Sequence, residues 1–143
     1  MREMSMKAIS LYEPWATLVA LGLKRYETRY WKIFYRGPLL ICASKNKLPF
    51  IEIASLLYAA KLTTEDLQYG KILAVVDLVE IFPTNNLIVP DSERKWGDFT
   101  WGRYAWQFTN IRRLVNPPVV RGRQGLFNVP DDLIKNIEMY ESI

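Results

Sequence analysis

The fold and the candidate site both start from residues 11–37, LYEPWATLVALGLKRYETRYWKIFYRG. After Pro14, which suits the first position of a helix, apolar residues recur at helical spacing. This pattern predicts a short helix with one buried face, ended by Gly22 in a left-handed conformation. The predicted face consists of Trp15, Leu18, Val19 and Gly22.

The residues that follow Gly22 predict a strand that carries charge. Residues 26–31 alternate bulky and polar side chains, which places Glu27 and Arg29 on the same face of a strand. Lys24 lies in the turn just before the strand and reaches the same face. The segment therefore predicts an ammonium, a carboxylate and a guanidinium close together beside the first helix.

The rest of the chain predicts about six strands, two helices of fair length and a terminal helix. Further strands are expected at residues 7–11, 38–44, 71–82, 102–114 and 125–129, and further helices at 50–61, for one turn from 63, and from 130. Strands and helices do not alternate regularly, which favours a mixed α+β, mainly β fold built as a small β-barrel with flanking helices. The length of 143 residues favours a single domain over residues 1–143.

Three features of the predicted strands and loops carry specific expectations. Asp77 falls among apolar residues of a strand, so we expect an ion pair with an arginine. The alternating aromatic residues Tyr104, Trp106 and Phe108 are expected to pack in the core. The long irregular stretch at residues 83–100 is either a lid over a binding cleft or a solvated loop.

Cysteine and histidine usage limits the chemistry. The chain has one cysteine, Cys42, and no histidine. This composition excludes an intrachain disulfide and imidazole-based triads, and it removes the usual zinc sites, so we expect neither a metal nor a cofactor. Cys42 lies in a predicted buried strand and is expected to be a small core residue.

The charges are unevenly distributed along the chain. The formal net charge is +4, from 19 basic and 15 acidic residues. Residues 99–130 hold five arginines and no acidic residue, and residues 1–50 are also predominantly basic. This asymmetry suits a polyanionic or phosphate-bearing ligand. No apolar run is long enough to cross a bilayer and no signal core follows the N-terminus, so we expect a cytoplasmic protein with no membrane partner.

Five sequence blocks, in this order, resemble the ASCH domain family. They are SLYEPWA, GLKRYETR, YRGPLLI, WGRYAW and RQGLF, and together they extend over roughly residues 7–130. The family motif G-x-K-x-x-E-x-R is matched by Gly22, Lys24, Glu27 and Arg29.

The resemblance implies a fold like that of the PUA domain, a small β-barrel with flanking helices. It also implies a cleft between barrel and helix that holds RNA, a nucleotide or a nucleoside. Lys24, Glu27 and Arg29 of the motif line this cleft, and the full set of ligand-binding residues that we expect is Ser10, Pro14, Trp15, Lys24, Glu27, Arg29, Arg36 and Lys45. Cys42 stands where the family pattern leads us to expect a histidine, so a role of that histidine does not transfer to this chain.

Three functions remain open from the residues. In a binding module, Arg29 clamps a phosphate, Lys24 supplies a point charge and Trp15 offers a face for stacking. In an enzyme, Lys24 and Glu27 supply the acid and the base, because the chain has no histidine. The resemblance points to such activities: a branch of small ASCH-like proteins, with a lysine and a threonine where this chain has Lys24 and Glu27, hydrolyses acylated cytidine nucleosides, and other members are described as ribonucleases. In a purely structural role, the three charges form an ion-pair network that pins the helix to the sheet.

Overall fold

Six strands form one sheet in the computed structural model, which describes residues 4–140. The strands are β1 (Ser5–Leu11), β2 (Tyr26–Arg29), β3 (Gly37–Ala43), β4 (Ile72–Pro83), β5 (Tyr104–Arg113) and β6 (Phe127–Pro130). Their order across the sheet is β2-β5-β4-β3-β1-β6, with only β1 and β3 parallel. Three α-helices accompany them: α1 (Trp15–Ala20), α2 (Phe50–Ala60) and the single turn α3 (Asp91–Arg94).

The centre of the sheet is buried on both faces. Alternate residues of β3 belong to different core clusters: Leu39 and Ile41 pack with α1 on one face, and Leu40 and Cys42 pack on the other. The prediction that residues 38–44 form a strand buried on both faces is therefore confirmed, as is the burial of Cys42. The aromatic residues Trp106 and Phe108 of β5 are fully buried, as predicted, and Tyr104 packs against the same cluster.

Helix α1 ends as its sequence predicts. Gly22 has a φ of +76°, and its N–H donates to the carbonyl of Val19 while the N–H of Leu23 donates to the carbonyl of Leu18. This pair of bonds is a Schellman motif, which turns the chain away from the helix axis and directs it into β2. Pro14 precedes the helix by one residue rather than opening it.

The predicted closed barrel is not confirmed. The sheet has two edges, β2 and β6, that are not hydrogen-bonded to each other. The sheet nevertheless curls strongly. Three strands separate β2 from β1, yet the Nη2 of Arg29 on β2 donates to the carbonyl of Ser10 on β1 at 2.9 Å. A side chain spans the gap that a closed barrel would fill with backbone hydrogen bonds. That gap is where the candidate site lies.

Two further sequence predictions have clear outcomes. Asp77 pairs with Arg112, whose Nη2 lies 2.6 Å from Oδ1, so the expected structural ion pair is present. The helix expected from residue 130 is only a 3₁₀ turn, Asp131–Leu133. Asn136 then adopts a φ of +64°, and a left-handed residue cannot continue a right-handed helix. No helix within residues 4–140 has both the length and the apolar character to span a membrane.

Candidate nucleic-acid interface

Lys24 is a fully buried lysine two residues before β2. Its Nζ donates to the carbonyl of Trp96 at 3.2 Å and lies 3.9 Å from Oε1 of Glu27. Burial disfavours the ammonium form and lowers the pKa of Lys24, although the carboxylates of Glu27 and Glu93 oppose this effect. Gly97 lies close beside it, since a Cβ at that position would lie 3.0 Å from Nζ, a tight contact.

Glu27 stands between the two cations of the motif. Its Oε2 is 3.8 Å from Nη2 of Arg29, and its Oε1 accepts a hydrogen bond from the N–H of Thr28 at 3.0 Å. Glu27 and Arg29 keep 16% and 22% of their side-chain surface exposed, so both remain accessible to a ligand. The carboxylate and the guanidinium therefore face an open cleft, whereas the ammonium of Lys24 supports them from below.

The segment at residues 83–100 forms a wall of this cleft. Its short helix α3 carries Glu93, a buried carboxylate that accepts hydrogen bonds from the backbone N–H groups of Arg25 and Tyr26. Burial raises the pKa of Glu93, and these hydrogen bonds partly counter the rise. With the bond from Lys24 to Trp96, they tie the segment to the start of β2. The segment thus contributes directly to the site.

We call the resulting hollow the motif cleft. It has a volume of about 560 Å³, within the range of small-molecule sites in proteins. Its walls include Tyr12, Trp15, Lys24, Glu27, Arg29 and Trp96. Charged groups of both signs and two indole rings line it, and such groups can hydrogen-bond to a polar aromatic group and stack on it.

A second hollow, which we call the arginine cleft, adjoins the first. It has a volume of about 620 Å³ and shares Ser10, Tyr12 and Arg29 with the motif cleft. Its other charged wall residues are Lys45, Arg121 and Arg123, and no acidic side chain of residues 4–140 lines it. The two hollows therefore form one groove, with Arg29 at their junction.

The structure brings most of the predicted site residues together. Five of them line the motif cleft, namely Ser10, Trp15, Lys24, Glu27 and Arg29, and Lys45 lines the arginine cleft. Pro14 is buried and lines neither cleft. Arg36 also lines neither, because its guanidinium lies on the exposed surface and pairs with Glu80 at 3.0 Å.

Sequence reasoning did not identify two parts of the groove. Glu93, Trp96 and Gly97 act on the motif from about 70 positions away along the chain, as the separation of 72 between Lys24 and Trp96 illustrates. Residues 121–125 form a wall of the arginine cleft, although the sequence had indicated only a glycine-flanked turn. The basic bias of residues 99–130 was the available sign of this wall.

Other reactive groups of the described residues do not offer an alternative site. Cys42 is fully buried, and burial raises the pKa of its thiol to about 12, so it is neither accessible nor ionised near neutral pH. Between residues 4 and 140, no cluster of three or more metal-ligating side chains is placed to hold an ion.

The fold and the groove define a small, mainly β domain with a charged cleft at the gap in its curled sheet. Residues 9–118 match the family described as "ASCH domain". The chain therefore belongs to the ASCH domain family, as its five sequence blocks indicated, and the match supports the PUA-like fold.

Among curated proteins, the chain is similar to "Activating signal cointegrator 1" of Homo sapiens and of Mus musculus. The identities are 33% and 32% over 79 aligned residues, which correspond to 50% of this chain. The chain spans only 14% of the length of these relatives, so the likeness concerns one domain of a much longer protein.

Among solved structures, the chain is similar to ASCH of Zymomonas mobilis. A crystal structure of a mutant form of that protein matches with a TM-score of 0.59 and 13% identity, covering 94% of this chain and 100% of the other. A second structure, described as ASCH from the same organism, matches with a TM-score of 0.57 and 13% identity, covering 93% and 96% of the two chains. At this identity the likeness shows a shared fold.

Proposed function

We propose that the motif cleft binds single-stranded RNA and holds one of its nucleotides between Trp15, Glu27 and Arg29. The observation that supports this most is the meeting of a carboxylate, a guanidinium and an indole around one open hollow of about 560 Å³. RNA recognition commonly uses unstacked bases, which stack on aromatic side chains and offer hydrogen-bonding edges. Membership of the ASCH family favours the same ligand class.

In this proposal each group has its own task. Arg29 uses only part of its guanidinium on the carbonyl of Ser10 and has donors left for a phosphate. Glu27, whose Oε1 accepts one hydrogen bond from the part of the chain that the structure describes, receives a hydrogen bond from the exocyclic amine of a base. Trp15 packs against the base. Lys24 stays buried and balances the charge of Glu27.

The change Glu27→Gln tests this arrangement, with Glu80→Gln as the matched control. Glu80 is an exposed carboxylate that pairs with Arg36 and lines neither cleft. Loss of a charged hydrogen-bond acceptor corresponds to about 1.5–3 kcal/mol, or about a 10- to 100-fold weaker affinity. We expect this loss for short oligocytidine, whose base carries an amine, and not for oligouridine, whose base carries none.

The measurement is fluorescence anisotropy of end-labelled oligonucleotides. The expected loss runs against bulk electrostatics, because both changes make the protein more positive and would by themselves strengthen binding to RNA. Equal affinities of the Glu27→Gln and Glu80→Gln variants for oligocytidine would refute the proposed role of Glu27. If the unmodified chain bound neither oligonucleotide, the proposed function would be wrong.

Hydrolysis of an acylated cytidine nucleoside is a second candidate function, favoured by the lowered pKa of Lys24. A neutral lysine amine can act as a general base. In this reaction Lys24 takes a proton from water while the water oxygen bonds to the acyl carbon. The C–N bond then breaks and the ammonium returns the proton to the leaving amine, so that a carboxylic acid and cytidine are formed.

The released cytidine can be followed by chromatography. We expect turnover to increase with pH through the lowered pKa of Lys24 and to be abolished by Lys24→Met, which retains the length of the side chain without the amine. Full turnover in that variant, or no turnover by the unmodified chain, would eliminate the hydrolase.

A further inference from the structure

The charged side chains of the described residues that line the arginine cleft are all cations. Five of the nine arginines within residues 4–140 are engaged elsewhere: Arg36 by Glu80, Arg94 by Asp91, Arg103 by Asp98 and Thr28, Arg112 by Asp77, and Arg113 by the ring of Tyr140. Within residues 4–140, by contrast, Arg121, Arg123 and Lys45 have no carboxylate within 4.0 Å, and all three are exposed. The described charged side chains that line this hollow are therefore all cations, and three of the four have no carboxylate partner among the described residues.

The junction with the motif cleft has a donor without a partner. The Oγ of Ser10 is buried and has no hydrogen-bond partner within the described part of the chain. A buried hydroxyl without a hydrogen-bond partner is unfavourable, so its presence calls for an explanation. It lies beneath Gly122, where an added Cβ would come within 2.7 Å of the hydroxyl oxygen.

The close approach of Gly122 to Ser10 places the loop at residues 121–125 against β1. Arg121 and Arg123 flank that glycine and line the groove on the opposite side of the junction from Glu27 and Trp15. Arg29 lines both clefts, so a chain that leaves the motif cleft past Arg29 meets Arg121, Arg123 and Lys45 next. Phosphodiesters supply a regular series of anions for such a path.

We propose that the arginine cleft is a phosphodiester-binding subsite continuous with the motif cleft, so that the ligand is an oligonucleotide rather than a free nucleoside or mononucleotide. This inference rests on the proposed function of the motif cleft. The two clefts divide the work: the motif cleft, with both signs of charge, reads a base, and the arginine cleft, with cations only, holds the backbone without regard to sequence.

The test replaces the loop cations in the full chain with Arg121→Gln/Arg123→Gln. The control Arg94→Gln/Lys135→Gln removes the same charge from exposed positions that line neither cleft. For single strands each phosphate contact contributes about −0.7 to the slope of log K against log salt, so two lost contacts change the slope by about 1.4. The same relation gives about 25-fold weaker binding at about 0.1 M salt.

The probes are oligocytidine, oligouridine, cytidine 5′-monophosphate and cytidine. We expect the loop variant to lose affinity for both oligonucleotides equally and to bind cytidine as the unmodified chain does, whereas the control changes little. If oligocytidine binding depended on Glu27 while the loop variant behaved like the control, the subsite would be refuted and the motif cleft retained. An equal loss for the mononucleotide and the oligonucleotides would overturn the oligonucleotide assignment. If the unmodified chain bound no probe, both proposals would fall.

Discussion

The motif cleft and the arginine cleft share Ser10, Tyr12 and Arg29, yet they are built by opposite means. The first is held by hydrogen bonds between distant elements, with Glu93 on the backbone of Arg25 and Lys24 on the carbonyl of Trp96. The second depends on exposed side chains of a short loop. A hydrogen-bonded wall with mixed charges supports selective recognition, whereas exposed cations of one sign support affinity that depends on salt.

Arg29 belongs to both clefts, so its replacement has the largest expected effect. In Arg29→Gln the junction loses its charge, its contact with Glu27 and the bond from its guanidinium to Ser10. We expect about a 10- to 100-fold loss of affinity for oligocytidine and for oligouridine alike, because a charge-assisted contact to phosphate is worth about 1.5–3 kcal/mol. Titrations of the Arg29→Gln variant and the unmodified chain with both oligonucleotides measure this loss of affinity.

Arg29→Lys sharpens the same comparison. Lysine keeps the charge but has no planar fork for bidentate contact, so we expect an intermediate affinity. An Arg29→Gln variant that lost affinity for only one of the two oligonucleotides would contradict the placement of Arg29 in both clefts.

The change Lys24→Met tests what Lys24 contributes to the stability of the fold, apart from any role in ligand binding. Burial lowers the pKa of Lys24 from 10.5, so between the lowered value and 10.5 the unfolded chain binds more protons than the folded one. The stability of the unmodified chain therefore rises with pH in that window relative to Lys24→Met, and below the window the full penalty of burying the ammonium applies.

Thermal unfolding at several pH values measures this difference. We expect Lys24→Met to have an equal or higher melting temperature near neutral pH, and the advantage to shrink as the pH approaches 10.5. A melting temperature lower by more than about 4 °C, which corresponds to about 1 kcal/mol, would show that Lys24 stabilises the fold and would favour the structural role.

The change Gly122→Ala has the smallest expected effect on oligonucleotide affinity. In Gly122→Ala the new Cβ would lie 2.7 Å from Oγ of Ser10, which pushes the loop at residues 121–125 away from β1. We expect up to about a fivefold loss of oligonucleotide affinity at about 0.1 M salt, equivalent to one phosphate contact.

The double variant Gly122→Ala/Ser10→Ala is the control, because the nearest remaining atom is then the Cβ of residue 10 at 3.7 Å, an ordinary contact. We expect it to recover the affinity of Ser10→Ala within about twofold. A Gly122→Ala loss that persisted in the double variant would show that the loop position does not depend on the approach to Ser10.

The arginines illustrate how much of the candidate site could be predicted from the sequence. Its basic bias at residues 99–130 indicated an anionic ligand, but the structure divides those arginines by role. Arg112 neutralises Asp77, and Arg103 binds the hydroxyl and carbonyl oxygens of Thr28, whereas Arg121 and Arg123 are left for the groove. Composition counts charges and does not show which of them already have partners.

The sequence alone determined the elements whose signals are local: the helix that ends at Gly22, the charged strand after it and the doubly buried strand at residues 38–44. Side-chain periodicity and turn chemistry depend on neighbours within a few residues, so they can be read without coordinates. Only the tertiary structure decided that the sheet stays open, that Lys24 is buried beneath Trp96 and Gly97, and that two clefts meet at Arg29. Those properties arise where residues far apart in the chain exclude water together, and burial of that kind has no local pattern.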